Sequence, residues 1–370
     1  MTNQCVDLNE CSLSEPKATL STFEIQWQVG VSGGLAEFNI SAMPEVSKNN
    51  RLITGFVGLF PQIDGVGVVT NGGIPQLGDW ELSRADWISK QQFWCPDVNF
   101  DGWLIVDFEA WLPAWEFLFD ESPGVLSRYK TASINYTNAY FSSQFPGKVF
   151  SAQEVNDFAK GSFEREGAIW LNKVLALIRE LRPKAKVAYY ALMQRSYFAP
   201  YINDEGKTYR QGNDKLVKVL KNCDAIMPTL YQFYPSWGPC APLPADRVYT
   251  SQGQFSPGPP GALAGETWLQ SNILFIYGQI NEAKRLANLA GGIKVIPYTW
   301  ARYHDGGPVL FALELNRVCD YELQTLYAKQ QGCDGIFMWG FEDPALQIAH
   351  GNMQDYIDIV IVPTVAKIYS

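Results

Sequence analysis

Two histidines in 370 residues leave little for metal chemistry. With only His304 and His350, and no C-x-x-C among seven cysteines, the usual zinc ligand sets cannot be assembled. No metal and no cofactor is expected. No apolar run reaches the length of about 18 residues that a membrane span needs, so none is expected. The opening MTNQCVDLNECSLSEPK has neither a charged n-region nor an apolar h-region, and no signal peptide is read in it. Basic residues are scarce: 29 Lys and Arg stand against 38 Asp and Glu, a net charge of −9. That excludes the basic footprint of a nucleic-acid binder. A polyanionic partner would need cations gathered at a cleft. The dinucleotide fingerprint G-x-G-x-x-G and the P-loop are both absent.

What is abundant is apolar and aromatic. Hydrophobic residues make up 47% and aromatics 14%, including 12 Trp, enough for a large core and for stacking surfaces against sugars. The chain is organised around GWLIVDFEAWLPAW, residues 102–115. Trp103 to Val106 is a short apolar run opened by Gly102 and closed off by Pro113, which reads as a buried strand. Asp107 and Glu109 follow. Strand side chains alternate, so two residues apart point the same way, roughly 6–7 Å apart along the chain. The pair is expected to share a pocket beneath Phe108 and Trp111. Burial and like charge both push one carboxyl toward protonation, and an acid beside an ionised partner suits glycosidic bond cleavage. A strand end entering a solvated loop is the other reading of the same residues.

The rest of the chain alternates strands with helices. Strands are expected at 22–31, 52–60, 103–106, 186–192, 224–231, 294–300 and 334–339. Helices are expected from the capping box Ser151–Glu154 to Leu181, at 214–221, 267–289 and 309–330, and from 344 behind Asp343 and Pro344. Residues 61–100 and 235–264, rich in Gly and Pro, read as long loops. Seven strands in such alternation imply a parallel sheet. Polar and aromatic residues at strand C-termini (Asp107, Glu109, Tyr190, Tyr231, Trp300, Trp339) give the active-face pattern of a (β/α) barrel, with a doubly wound sheet as the alternative. Residues 1–20 read as a loose N-terminal segment and 21–370 as a single domain. Cys223 and Cys240 flank one segment and could pair, while Cys333 reads as a buried thiol. Sequons start at Asn39 and Asn135.

Four stretches, NGGIPQLG (71–78), VDFEAWLP (106–113), VIPYTWARYHD (295–305) and GCDGIFMWG (332–340), together resemble the hyaluronidase family, glycoside hydrolase family 56. VAYYAL (187–192) and MPTLY (227–231) fit in the same order, and the likeness covers roughly residues 22–355. The resemblance implies a distorted (β/α) TIM-like barrel of about seven strands. It implies retaining hydrolysis of β-1,4 bonds next to N-acetylhexosamine, with hyaluronan or chondroitin as partner and a secreted or lysosomal setting. By the resemblance Glu109 is the acid/base, and Asp107 holds the substrate's acetamido group, whose oxygen is the nucleophile. Tyr190, Tyr231 and Trp339 enclose that group, and Trp111 joins the substrate-binding set. Read alone, Tyr190 and Tyr231 are core tyrosines, and Glu342 and Asp343 either contact sugar or, the favoured reading, cap the last helix. His304 and Asp305 suggest an acid/base pair but are expected in a surface loop. The chain departs from the family pattern at Leu112, where Arg is usual, and at Arg195, where Cys is expected. A silent glycan-binding barrel and a hydrolase of a neutral N-acetylated polymer such as chitin remain as alternatives.

Overall fold

The computed structural model describes residues 23–54, 57–118, 127–195, 204–236, 268–306 and 311–370. The strands come first as β1 (Glu24–Val31), β2 (Asn50–Ile53) and an antiparallel pair, β3 (Gln62–Ile63) with β4 (Val69–Thr70). Helices α1 (Trp80–Ser89) and α2 (Gln91–Trp94) lead to β5 (Trp103–Val106). Then come α3 (Arg128–Gln144), α4 (Ala152–Leu181), β6 (Lys186–Tyr189), α5 (Asp204–Leu220) and β7 (Ala225–Ile226). The series continues with α6 (Trp268–Leu289), β8 (Lys294–Val295), β9 (Tyr298–Trp300), α7 (Val318–Gln330), β10 (Gly335–Glu342) and α8 (Pro344–His350). Helical turns over 353–369 close the chain.

Strand β5 is buried at all four positions and lies between β2 and β6, parallel to both. A strand covered on both faces has no polar side, which is why its sequence is a continuous apolar run. Gly102 at its start is obligatory, because a Cβ there would lie 2.1 Å from the Asn49 carbonyl oxygen. β1 pairs in parallel with β10 along its whole length, from Glu24 opposite Gly335 to Val31 opposite Glu342, and β10 pairs with β9. β7 pairs with β8. Single parallel bridges join Gln26 to Ser47, Tyr190 to Met227, and Thr229 to Tyr298. Apart from β3 and β4 the ladders are parallel, which requires crossover connections, and helices supply most of them. The fold is α/β.

Polar side chains from three strands meet inside. Tyr298 Oη donates to Gln28 Oε1 (2.8 Å), Gln28 Nε2 to Asn50 Oδ1 (3.1 Å), and Asn50 Nδ2 to Gln26 Oε1 (3.0 Å). Buried amides left unpaired would oppose folding, so this chain of bonds fixes how β9, β1 and β2 face one another.

The capping box at Ser151 and Glu154 is present and starts α4. Asp343 caps α8 by accepting from Leu346 N–H (2.7 Å). Several expected bounds shift. Strand 52–60 ends at Ile53, the strand at 294–300 is split around Pro297, and the helix expected from 309 begins at Val318. Residues 61–100 hold β3, β4, α1 and α2 rather than loop alone, and α3 lies where no element was expected. The Cys223–Cys240 pairing that the spacing allows does not form: Cys223 is a free, buried thiol, its pKa pushed up to about 12 by burial. Cys95 and Cys333 are also free and buried, whereas Cys319 is disulfide-bonded. Cys240 and the segment 1–20 lie outside the described residues.

Candidate active site

At Val106 the chain leaves the β5 ladder. Asp107 N–H still donates to the Ile53 carbonyl (2.9 Å), so the residue is held at the strand end. Asp107 and Glu109 then face one cavity, with Phe108 between them turned the opposite way. That alternation corrects one expectation. Phe108 does not cover the carboxylates; it stacks on Phe60, ring centroids 4.1 Å apart. Trp111 is also core, 2% exposed, with its indole N–H donating to the Pro61 carbonyl (2.6 Å). It reaches only the floor of a neighbouring groove.

The aromatic cover comes instead from other strand ends. Tyr190 N–H donates to the Val106 carbonyl (3.0 Å), which places Tyr190 just past the end of β6 and beside the carboxyl pair. The next residue, Ala191, adopts φ +48°, a left-handed turn that takes the chain out of the line of β6. Tyr231 follows β7 and stacks on Trp339 of β10 (5.6 Å, 26°), and Trp300 of β9 meets Trp339 edge-on (4.9 Å, 74°). These rings, Leu52, Tyr298, His304 and Asp305 enclose a cavity of about 190 Å³ around Asp107 and Glu109. Tyr190, Tyr231 and Trp339 are thus brought together with the two carboxylates; Trp111 is not.

Glu109 also borders a second, longer groove of about 500 Å³, with Leu112, Arg128, Tyr129 and Gln194 along it. Glu109 therefore sits at the junction of a small aromatic pocket and an open groove. Behind the groove, Lys215 Nζ bonds both Glu116 (2.6 Å) and Glu164 (2.6 Å), anchoring the turn after Trp111. Arg195 packs its guanidinium against Gly278, where even a Cβ would not fit, and donates to the Phe275 carbonyl (2.8 Å). It fills space at the position where the family pattern has Cys.

The electrostatics divide the carboxyl pair. Desolvation is the largest influence on both and raises both pKa values. The charge of Asp107 and a shared hydrogen bond push Glu109 further, to about 7, while that bond pulls Asp107 back down. The proton therefore rests on Glu109, whose O–H donates to the Asp107 carboxylate. Burial holds Tyr190 and Tyr231 far above the ordinary phenol range, so both stay protonated, and Tyr231 O–H donates to Tyr190 Oη. Among the described residues no group of three or more His, Cys, Asp or Glu is arranged to hold a metal ion.

His304 and Asp305, expected in a surface loop, line the pocket. The signal available in the sequence is the adjacency of His304, one of only two histidines, to Asp305. Glu342 is wholly buried against Arg302 and does not reach the cavity.

A sequence profile of the hyaluronidase family matches residues 20–233. Hyaluronidase of Apis mellifera is 26% identical over 84% of this chain and 72% of its own. Hyaluronidase-1 of Sus scrofa is 23% identical over 97% and 75%. A chondroitin hydrolase of Caenorhabditis elegans is 30% identical over 45% of this chain and 34% of its own. In fold, the chain is similar to crystalline bee venom hyaluronidase bound to a hyaluronic acid tetramer, with a TM-score of 0.69, 22% identity, and coverage of 94% and 100% of the two chains. No described helix is long and apolar enough to cross a membrane. With the profile spanning more than half its length, the chain belongs to the hyaluronidase family, glycoside hydrolase family 56, and is a glycoside hydrolase.

Proposed function

We propose that this protein is a retaining endo-β-N-acetylhexosaminidase that cleaves hyaluronan, chondroitin or both by substrate-assisted catalysis. The observation that carries the reading is the position of Glu109, protonated near neutral pH, at the junction of the aromatic pocket and the open groove. An endo-acting enzyme needs polymer on both sides of its acid. The hexosamine whose bond breaks occupies the pocket, and the leaving chain lies in the groove.

Asp107, ionised, accepts the acetamido N–H and steadies positive charge as the acetamido oxygen attacks the anomeric carbon. Tyr190, Tyr231 and Trp339 exclude water from the forming oxazolinium ring. Glu109 gives its proton to the departing glycosidic oxygen. As a carboxylate it then takes a proton from the water that opens the oxazolinium, restoring the acid and leaving the β configuration. No protein nucleophile is required, one of the recognised exceptions to the two-carboxylate scheme.

The architecture around this site is inferred to be a seven-strand barrel in the order β1, β2, β5, β6, β7, β8 with β9, and β10. The single bridges at Gln26, Tyr190 and Thr229 lie where that ring would close. Residues 21–370 are taken as one catalytic domain, in a secreted or lysosomal protein. A neutral N-acetylated polymer is the second reading, favoured by Leu112 in the groove and by the net charge of −9. Reducing-end release from hyaluronan, chondroitin, chondroitin sulfate and chitin at several pH values tests both. Release from chitin alone would replace the first reading with the second, and release from none would remove both.

A further inference from the structure

Half of the pocket's lining has no role in holding the acetamido group or in moving protons. Of that half, Leu52 offers no polar atom, and Tyr298 spends its hydroxyl hydrogen on Gln28. Trp300 keeps its indole nitrogen buried toward Gly340, 3.6 Å from where a Cβ would sit. His304 and Asp305 remain.

The histidine is held in one orientation. Its ring stacks on Phe233 (4.6 Å, 28°) and stands edge-on to Trp300 (5.9 Å, 85°). Nδ1 accepts the Gly306 N–H (2.9 Å), so in the neutral ring the hydrogen is on Nε2. Were the ring protonated, Nδ1–H would turn to Asp305 Oδ1, 3.1 Å away, and Nε2 would still carry hydrogen. Nε2 has no hydrogen-bond partner among the described residues, and the ring lines the pocket. It is absent from the groove beyond Glu109, so it belongs to the side that holds the hexosamine.

Hyaluronan and unsulfated chondroitin share their uronic acid and their acetamido group. They differ in the configuration of one hydroxyl, at C4 of the hexosamine. A group that tells them apart must be polar, must lie in this pocket, and must be unoccupied by other bonds. We propose that His304 Nε2–H, with the Asp305 carboxylate as neighbouring acceptor, binds the hydroxyl face of the hexosamine and sets the preference between the gluco and galacto sugars. The inference rests on the function proposed above and extends it to substrate choice.

Two variants of the full chain separate contact with sugar from support of the loop. In His304→Asn the side-chain oxygen can stand where Nδ1 was and keep the Gly306 bond, but nothing reaches the place of Nε2. In His304→Gln the terminal amide reaches that place, and the Gly306 bond is lost. kcat and KM are measured on hyaluronan and on unsulfated chondroitin. The ratio of the two kcat/KM values should move by about tenfold or more in His304→Asn, as expected when a site's hydrogen-bond donor is removed, and should stay within about twofold in His304→Gln. An unchanged ratio in His304→Asn, or loss in His304→Gln alone, overturns the inference while leaving the enzyme's activity class intact. A wild-type chain inactive on both polymers overturns the proposed function, and this inference with it.

Discussion

Arg302 and Glu342 form a two-point ion pair with no exposed surface on either side chain, Nε to Oε1 and Nη2 to Oε2 both at 2.7 Å. Arg302 also donates to the carbonyls of Leu313, His350 and Gly351, tying the end of β10 to the start of the C-terminal turns. Glu342→Gln leaves a buried guanidinium without its counter-charge, which should cost about 3–5 kcal/mol of stability. Urea unfolding measures this, and KM of the folded enzyme should not change. A raised KM at unchanged stability would put Glu342 in the cleft instead.

Glu109→Gln keeps the shape of the proposed acid and removes its proton. The rate on any glycan the wild type cleaves should fall by about 10²–10⁴-fold, the usual worth of general acid catalysis. Reducing-end assays of the purified variant decide it, and near wild-type turnover would show that the proton comes from elsewhere.

The same carboxyl sets the pH profile. The proposed mechanism needs Glu109 protonated and Asp107 ionised, so activity should fall as pH rises past about 7. It should also fall on the acid side, at a pH above the ordinary range for aspartate, because burial raises Asp107. Stability follows with a definite sign. Glu109 binds its proton more tightly folded than unfolded, so its contribution is complete below the unfolded value and is lost as pH rises toward 7. Melting curves should show Glu109→Gln gaining on wild type between pH 4.5 and 7, with no further gain above that.

Leu112, 7% exposed, borders the groove through which the leaving chain would pass. Leu112→Arg should lower KM for an anionic glycan at low salt, and added salt should reverse the gain, since a screened cation attracts carboxylates less. Inserting the longer side chain should cost about 1–3 kcal/mol through overpacking. KM at two ionic strengths, paired with a thermal melt, reads both effects, and an unchanged KM would show that position 112 does not face the polymer.

What the sequence made legible is what periodicity and caps can carry. The run Trp103–Val106 has no polar face because both of its faces are covered, and Ser151 with Glu154 announces α4. Helix α3 was hidden for a physical reason. Its buried stripe is Tyr129, Ser133, Thr137 and Phe141, so two of its four inward positions, Ser133 and Thr137, are small hydroxyl residues and the apolar period is broken. Helix α1 hides in the same way, burying Ser83 and Trp87. The carboxyl pair is visible as D-x-E, and its roof is legible only from the pattern of strand ends along the whole chain, not from the residues beside the pair. Phe108 and Trp111 are nearest in sequence and turn into the core, whereas Tyr190, Tyr231, Trp300 and Trp339 arrive from four other strand ends. His304 and Asp305 read as loop because they follow β9 with no periodicity of their own, yet both line the pocket.

The remaining prediction concerns stereochemistry. Among the described residues lining the pocket, the carboxylates are Asp107, Glu109 and Asp305, and the first two share a hydrogen bond. Groups that close leave no room between them for the water of an inverting enzyme, which needs carboxyls about 6.5–9.5 Å apart. In the proposed mechanism Asp107, ionised beside a protonated Glu109, instead orients an acetamido group and stabilises the cation it forms. Asp107→Asn should therefore lower kcat far more than it raises KM, because the negative charge matters most as the oxazolinium develops. A thiazoline analogue of the N-acetylhexosamine should inhibit more tightly than the parent sugar, since it resembles the bicyclic intermediate. Proton NMR during the first turnovers reads the outcome directly: the β anomer should appear first and mutarotate later. An α anomer appearing first would exclude attack by the acetamido oxygen and would require a water held on the opposite face of the sugar.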